Sequence, residues 1–514
     1  MALSRLQQIS IAQEATEATA TSFANLFTAN NSKYLVIDPS LDFSVNVFER
    51  NIKRETLTPL QSLTGTKTGT VRFSMELTGD TGATNVPAWG LPLRACGFRQ
   101  EKLAKLTIGA ITAGPFQHGE IVTQATSGAK GMVVGTTYDG QTTLWVAQEN
   151  HLGFDPGATT ITAFTTTAGH TLSGGTSGAS TAAAPSAVAG GITGTAYSTP
   201  AGVAWFPWSY PLSVIRTDAS GLLANITAGG VFYGATSNAV GQFYYADSSG
   251  PTAATLIYYR RISGSFQNSE AIWSGVGGTG TQYAGIGTTG GAAQFQIPTL
   301  SIGMSKDAVR EAIKAARGTV SFSGRIGEPM IMTFEFQGGL SENSGASSQD
   351  AGNVTGITYT SQVPPVLLDA DLVHMKSGTS WANRYGPCIA SIDIAMANEI
   401  GFRECMADAA GIQETVLSGR TPTISIDPEL VTEGTWDYLE QFTDNTPSRA
   451  NFFVGSAAQN SFEFRMPGIS WTGATTGDRN GIATRQLSGV LHGGSQSGGA
   501  SSSDNELVLI YTIL

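Results

Sequence analysis

Val71, Phe73, Met75 and Leu77 alternate with Arg72, Ser74, Glu76 and Thr78. A two-residue period of this kind fits a strand with one buried and one wetted face, and it fits no helix. Gly-containing turns flank it, Leu63-Thr64-Gly65-Thr66 before and Gly79 to Gly82 after, so the strand starts and stops where the chain can bend. The composition extends the point to the whole chain. There are 63 glycines, and charged residues make up only 13%, against about 25% in an average soluble domain. With no long amphipathic helical run, the expected class is mainly β with many turns.

At 514 residues the chain exceeds the usual size of one domain and should hold several cores. Its 28 Lys+Arg against 39 Asp+Glu give a net charge of −11, which disfavours gripping nucleic acid by neutralising phosphates. It does not disfavour letting DNA slide past. No stretch approaches the ~20 apolar residues of a membrane span, and the opening residues lack a basic region followed by an apolar run. The sequence therefore predicts no membrane insertion, no secretory signal and a chain made in the cytosol.

Around the alternating strand, the order of elements is a Leu-Thr-Gly-Thr lead-in, a strand, a Gly/Thr loop, Pro87-Ala88-Trp89-Gly90, then Leu93-Arg94-Ala95-Cys96-Gly97-Phe98. This order resembles the tail tube proteins (major tail proteins) of long-tailed bacteriophages. Three further places are similar to that family. Arg317 to Phe322, a turn at Gly327-Glu328-Pro329, and Met332 to Phe336 look like its central hairpin. Arg420 to Pro428 followed by Trp436-Asp437-Tyr438-Leu439 looks like a later strand and short helix. The opening, Arg5 to Phe43, is polar and Ala/Thr-rich and runs into Val36-Ile37-Asp38-Pro39.

The resemblance implies a tail-tube-type β-sandwich with a short flanking helix, in a structural subunit of a phage tail tube. Subunits would close into six-membered rings and stack into a conduit for viral DNA, which would pass without specific binding. The implied partners are the chain itself and tape-measure, tail terminator and baseplate or tail-tip proteins. The implied location is the virion tail, assembled in the host cytoplasm. The polar N-terminal arm and the Ala/Thr/Ser-rich stretches would be loose in the monomer and order on stacking. Alternatives are another phage structural protein, of capsid or baseplate, and a surface carbohydrate-binding or adhesive protein.

The middle of the chain lies outside the resemblance and contains an internal repeat. Glu120 to Gly131 aligns with Gly230 to Gly241 through a shared Ala-Thr-Ser-x-Ala-x-Gly core, Leu144-Trp145-Val146 with Leu256-Ile257-Tyr258, and Gly153-Phe154 with Ser265-Phe266. Two inserted small β-modules are expected, each a strand, a Ser/Gly turn and two more strands. From Thr171 to Gly194 the composition reads as a mobile linker. Val203 to Ser209 and Phe295 to Pro298 look like the tube framework resuming. The expected division is 1–106, first part of the tube sandwich; 107–190, module 1; 191–290, a framework segment and module 2; and 291–514, second part of the sandwich.

Ser305 to Arg317 presents a conflict. It has a capping serine, helix formers throughout and an apolar i, i+4 pair in Val309 and Ile313, so propensity says helix. The resemblance says hairpin, and hairpin is the expectation, since sheet context can override propensity. A second helix is expected near Thr435, with Trp436 and Leu439 sharing a face and Pro447 closing the region.

No catalytic, cofactor-binding or metal-binding residues are assigned, no cofactor is implied, and the chain is not expected to be an enzyme. His118, His151, His170, His374 and His492 never fall at i, i+4 with an acidic partner and read as exposed loop residues. Cys96, Cys388 and Cys405 are too scattered for a zinc or redox spacing and read as buried thiols. Gly275 to Gly290 reads as a Gly/Thr loop without phosphate-binding context. Asp369 and Asp371 read as a solvated loop without an acid/base partner. Trp205, Phe206, Trp208, Tyr210, Tyr233, Phe243, Tyr244, Tyr245, Tyr258 and Tyr259 read as core, with a sugar-stacking platform as the alternative.

Overall fold

The structure is a computed structural model. It describes all residues except 1–6, 15–19, 51, 53–59, 81–85, 138–139, 149–160, 194–195, 209–212, 217–229, 249–254, 264–265, 268–269, 286–296, 308, 342–349, 352–353, 360–361, 369, 376–383, 407, 445, 494–504 and 514. The described chain is mainly β, its pairings are antiparallel, and its three helices are short.

The alternating strand, Leu63–Glu76, lies between Ile37–Phe48 and Ile331–Leu340, with Phe73 opposite Phe334 and Ser74 opposite Thr333. Ile331–Leu340 pairs in turn with Val309–Arg325, through a turn where Gly327 takes φ 82°. The conflict at Ser305–Arg317 resolves as a hairpin. Leu300–Lys306 pairs with Val309–Arg325, Ile302 opposite Ile313, and Gln7–Gln13 adds to the outer edge of Leu300–Lys306. Neighbours on both sides satisfy the backbone there, and Ala312, Ile313 and Ala316 are fully buried, so tertiary burial overrides helix propensity. The N-terminal segment is accordingly a paired strand from Gln7 to Gln13, which corrects the expectation of a loose arm.

From Val309–Arg325 the sheet continues through Ser391–Ala395, Thr423–Ile426 and Ile482–Leu491 to Ser461–Arg479. The last hairpin turns at Asn480 and Gly481, both in the left-handed region, as a two-residue hairpin turn requires. Ser461–Arg479 also pairs with Ser448–Val454 and Val508–Thr512, and Val508–Thr512 with Gly202–Pro207. The sheet thus folds over itself like a sandwich, and Phe322 meets Phe464 edge to face across the core at 5.3 Å between ring centroids. Trp89 and Trp205 add a second aromatic pair at 4.6 Å.

The flanking helix is Tyr438–Thr443, capped by Asp437, whose Oδ1 accepts from the Glu440 N–H at 2.9 Å. Trp436 is buried before the helix starts and Leu439 is exposed, so these two do not share a face as expected. The capping acid sets the start, and Trp436 serves the core rather than the helix.

Phe98–Thr107 links the sandwich to the first repeat. Its first half pairs with Gly202–Pro207, and its second half with Thr143–Ala147 and Ala187–Ala189. Beyond Thr143–Ala147 the neighbours are Lys130–Val133, Ile121–Gln124, Leu172–Gly174, Ser180–Thr181 and Ile111–Thr112. The second repeat runs in the same spatial order: Ser213–Arg216, Thr255–Ser263, Val240–Ser248, Val231–Gly234, Ala271–Gly275 and Thr279–Gly285. The 144–146 and 256–258 segments occupy equivalent strands; Gly153 and Phe154 lie outside the described residues. The stretch 171–194 is not a linker: Leu172–Gly174, Ser180–Thr181, Ala187–Ala189 and Gly191–Thr193 are all strands. Its small residues fit a tightly turned sheet as well as a flexible tether.

Candidate assembly surfaces

The register places residues in ranks across the large sheet. One rank runs Met75, Met332, Phe322, Ile394, Ile424, Gly489 and Trp471, and it is buried. The next runs Ser74, Thr333, Ser321, Ala395, Thr423, Val490 and Ser470 on the opposite face, across seven strands. A third, on that same outer face, runs Glu76, Ile331, Ser323, Asp393, Ser425, Ser488 and Gly473. The outer face is therefore rich in hydroxyls and poor in charge. Its charged residues on these ranks and the neighbouring Arg72–Glu335–Thr319 rank are Arg72, Glu76, Glu335 and Asp393. Arg72 and Glu335 pair at 3.1 Å, and Ser74 and Thr333 share a hydrogen bond at 2.9 Å.

The hairpin of Ile37–Phe48 and Leu63–Glu76 runs past the end of Ile331–Leu340, whose last pair with it is Gly339 and Thr68. Val45, Val47, Phe48 and Leu63 on this extension are exposed, Phe48 by 56%. Val47 and Phe48 are successive strand residues and face opposite sides of the ribbon, Phe48 on the side of its partner Leu63.

The repeats contain a feature that the sequence alignment missed. The Ser turn occurs three times, at 125–129, 175–179 and 235–239, and each Ser Oγ accepts from the N–H two residues on: Ala129 at 3.3 Å, Ala179 at 3.1 Å and Ala239 at 3.1 Å. Two of the turns close on a buried carboxylate. Glu120 accepts from the Thr176 and Ser177 N–H groups at 3.2 and 3.0 Å, and Glu270 from those of Thr236 and Ser237 at 3.1 and 2.9 Å. Each carboxylate also accepts from a glutamine N–H three residues before it, Gln117 or Gln267, at 2.6 Å. The signal legible in the sequence is the shared Phe-Gln-x-x-Glu of 116–120 and 266–270. At the third turn the equivalent position is His170, since Ala125 bonds to the Thr171 carbonyl as Gly175 does to Ile121 and Ala235 to Ala271. Ser127 there donates to Gln124 Oε1 at 2.8 Å, and Thr126 takes φ 65°.

Other sequence expectations are corrected by burial. His118 is not an exposed loop residue: it is buried, its Nδ1 accepts from the Gly135 N–H at 2.9 Å, and burial, then Arg99 and Arg465, push its pKa down to about 3. His170 and His492 are half-buried; His151 and the His374 side chain lie outside the described set. Of the thiols expected to be buried, Cys96 is, Cys388 is exposed and Cys405 is intermediate. Asp371 sits on the strand Ala370–Met375 rather than in a loop, and Asp369 lies outside the described residues. Part of the 275–290 glycine stretch is the strand Thr279–Gly285 rather than loop. Trp205, Phe206, Trp208, Phe243 and Tyr259 are buried, so these rings fill cores, and Tyr233 is half-buried; Tyr210 and the side chains of Tyr244, Tyr245 and Tyr258 lie outside the described set. Among the described residues no group of three or more His, Cys, Asp or Glu is placed to hold a metal ion. No protein-family model and no curated protein matches this chain.

Proposed function

We propose that this chain is a structural subunit of a phage tail tube, closing into six-membered rings that stack into the conduit for viral DNA. The observation that carries the reading is the outer face of the seven-strand sheet, where hydroxyls stand in register and the charges on those ranks are one arginine against three acids. A wall of this kind offers DNA phosphates hydrogen-bonding hydroxyls but no cationic track, so a duplex passes without being held. Ring closure also pairs sheet edges that would otherwise template aggregation. Tape-measure, terminator and baseplate or tail-tip proteins are the partners of such a tube, and the virion tail is its place. The carbohydrate-binding alternative draws little from the aromatics, since most of those described are packed inside.

Electron microscopy of the purified full-length protein tests this. Six-fold rings or hollow filaments are expected, together with weak affinity for duplex DNA even at low ionic strength. Monomers at all concentrations, or tight DNA binding that fades steeply with salt, would count against it.

A further inference from the structure

The second repeat carries two aromatic side chains outside its core. Phe232 and Ile272 are buried in the cluster around Tyr259. Successive strand residues face opposite sides of a sheet, so Tyr233 and Trp273, each next to one of them, stand on the wetted face. The register sets these two directly opposite each other on neighbouring strands, with Val240 beyond Tyr233 on the same rank. Both rings are half-buried. Val231, two residues along the strand from Tyr233, is 38% exposed.

The first repeat is a control for what the fold needs. Aligned on Phe-Gln-x-x-Glu and on the turns that the two carboxylates close, Trp273 corresponds to Thr123 and Tyr233 to Ser173. Thr123 and Ser173 are likewise opposite each other, while Val122 and Leu172 fill the core places of Ile272 and Phe232. The same strand pairing therefore forms with two small hydroxyl residues where the second repeat presents two rings. Rings held at the water face of a sheet that forms without them have a use outside it.

We infer that Tyr233 and Trp273 form a stacking platform for a neutral oligosaccharide of β-1,4-linked pyranoses. The site adds a binding role to the tube reading without depending on it. An equatorially substituted pyranose carries its hydroxyls round the rim and its C–H groups on the two faces, so it lays an apolar face on an aromatic ring. Two rings on neighbouring strands, about 4.8 Å apart at the backbone, receive two consecutive sugar residues. The Gln242 amide and the Thr279 hydroxyl lie on the neighbouring positions of the same face, where sugar hydroxyls would meet them. Charge agrees: among the described residues of this face none is charged, and the carboxylate next in sequence, Glu270, is buried and taken up by Gln267, Thr236 and Ser237. Size agrees as well. Two half-buried rings offer on the order of 200 Å², well short of the roughly 800 Å² that each partner gives to a stable protein interface.

Full-length protein passed over insoluble chitin and cellulose, and titrated by calorimetry with N-acetylchitohexaose and cellohexaose, tests the site. Retention on at least one polymer and release by its soluble hexamer are expected. Tyr233→Ser/Trp273→Thr, which installs the pair that the first repeat uses, should weaken binding about tenfold or more and keep the wild-type thermal midpoint and assembly state. Trp273→Phe, which keeps a ring, should bind within a few-fold of wild type, and Trp273→Leu, apolar without one, should bind about tenfold worse. No retention of the unsubstituted protein on either polymer, undiminished binding by the double variant, or equal binding by the Phe and Leu variants would overturn the platform. So would a change of assembly state in the double variant at an unchanged midpoint, which would give the rings to a contact between copies of the chain.

Discussion

Arg465, on Ser461–Arg479, donates from Nη1 to the carbonyl of Gly135 at 3.2 Å, joining the sandwich to the first repeat inside a buried site. Its Nε and Nη2 pair with the Glu463 carboxylate at 2.8 and 3.2 Å, and Glu463 also accepts from Asn451. Arg465→Ala would strand the Glu463 charge and the Gly135 carbonyl together. A loss of about 3 to 5 kcal/mol is expected, as for one partner removed from a buried pair. Arg465→Met/Glu463→Gln should lose clearly less. Chemical denaturation of the three proteins checks the order, and equal losses would show that the site is solvated.

Acid should weaken the same junction. His118 stays neutral in the fold with a pKa of about 3, below its ordinary 6.5. As pH falls below 6.5 the unfolded chain takes up a proton that the folded chain refuses. The contribution is thus complete above about pH 6.5 and is lost progressively down to about pH 3. The thermal midpoint of wild type should fall over that window by more than that of His118→Gln. Parallel curves would mean that this imidazole is not held neutral.

The two repeats should respond differently to deletion. The pattern of residues 110–190 suggests a dispensable insert. Yet Met132, Val134, Trp145 and Ala147 pack with Leu103, Ala204, Phe206, Val508 and Ile510 in one cluster. Removing 110–190 uncovers that apolar surface and the Arg465 site, so loss of soluble protein is expected. The core of the second repeat, around Ile215, Phe232, Ile257, Tyr259 and Ile272, is a cluster of its own. Removing 213–285 with a short Gly/Ser bridge should leave the unfolding of the remainder near its original midpoint, as calorimetry would show.

Phe73 stacks on Phe334 and Phe336 at 5.4 and 5.9 Å between centroids, buried in the sandwich. Phe73→Ala is expected to cost about 3 to 5 kcal/mol through the cavity it leaves. Arg72→Ala, one residue away on the wetted face, should scarcely move the unfolding midpoint. Comparable losses would place Arg72 at an interface.

Glu270→Ala removes the acceptor for two backbone N–H groups and a hydroxyl in the 235–239 turn. A loss of about 1 to 3 kcal/mol is expected for stranding such donors. Hydrogen exchange at Thr236 and Ser237 should accelerate, while exchange at Thr126 and Ser127, in the turn without a carboxylate, stays as it was. Acceleration at all four would point to global rather than local loosening.

Much of the framework is legible in residue order, because strand periodicity is a local property. The alternation of Val71 to Leu77 predicts which side chains are buried, and the Arg317 to Phe336 pattern predicts its hairpin. The hydroxyl-rich outer face is present in outline too, as Thr and Ser at every second position of several strands. What local order does not contain is which strands lie side by side. Only registry across seven strands turns scattered Ser and Thr residues into ranks.

The errors share that cause. The 171–194 stretch has a linker's composition, but composition does not record that Leu172–Gly174 finds Ile121–Gln124 as a neighbour. His118 reads as a polar loop residue until Phe206, far along the chain, packs edge to face on its ring. Val309 to Ala316 has helical propensity worth tenths of a kcal/mol per residue, and burial between two strands outweighs it. The alternation of polar and apolar residues by itself determined the β class and the faces of the main strands. The tertiary structure alone decided the joining of the first repeat to the sandwich and the carboxylate-closed turns, because each depends on contacts between residues distant in the chain.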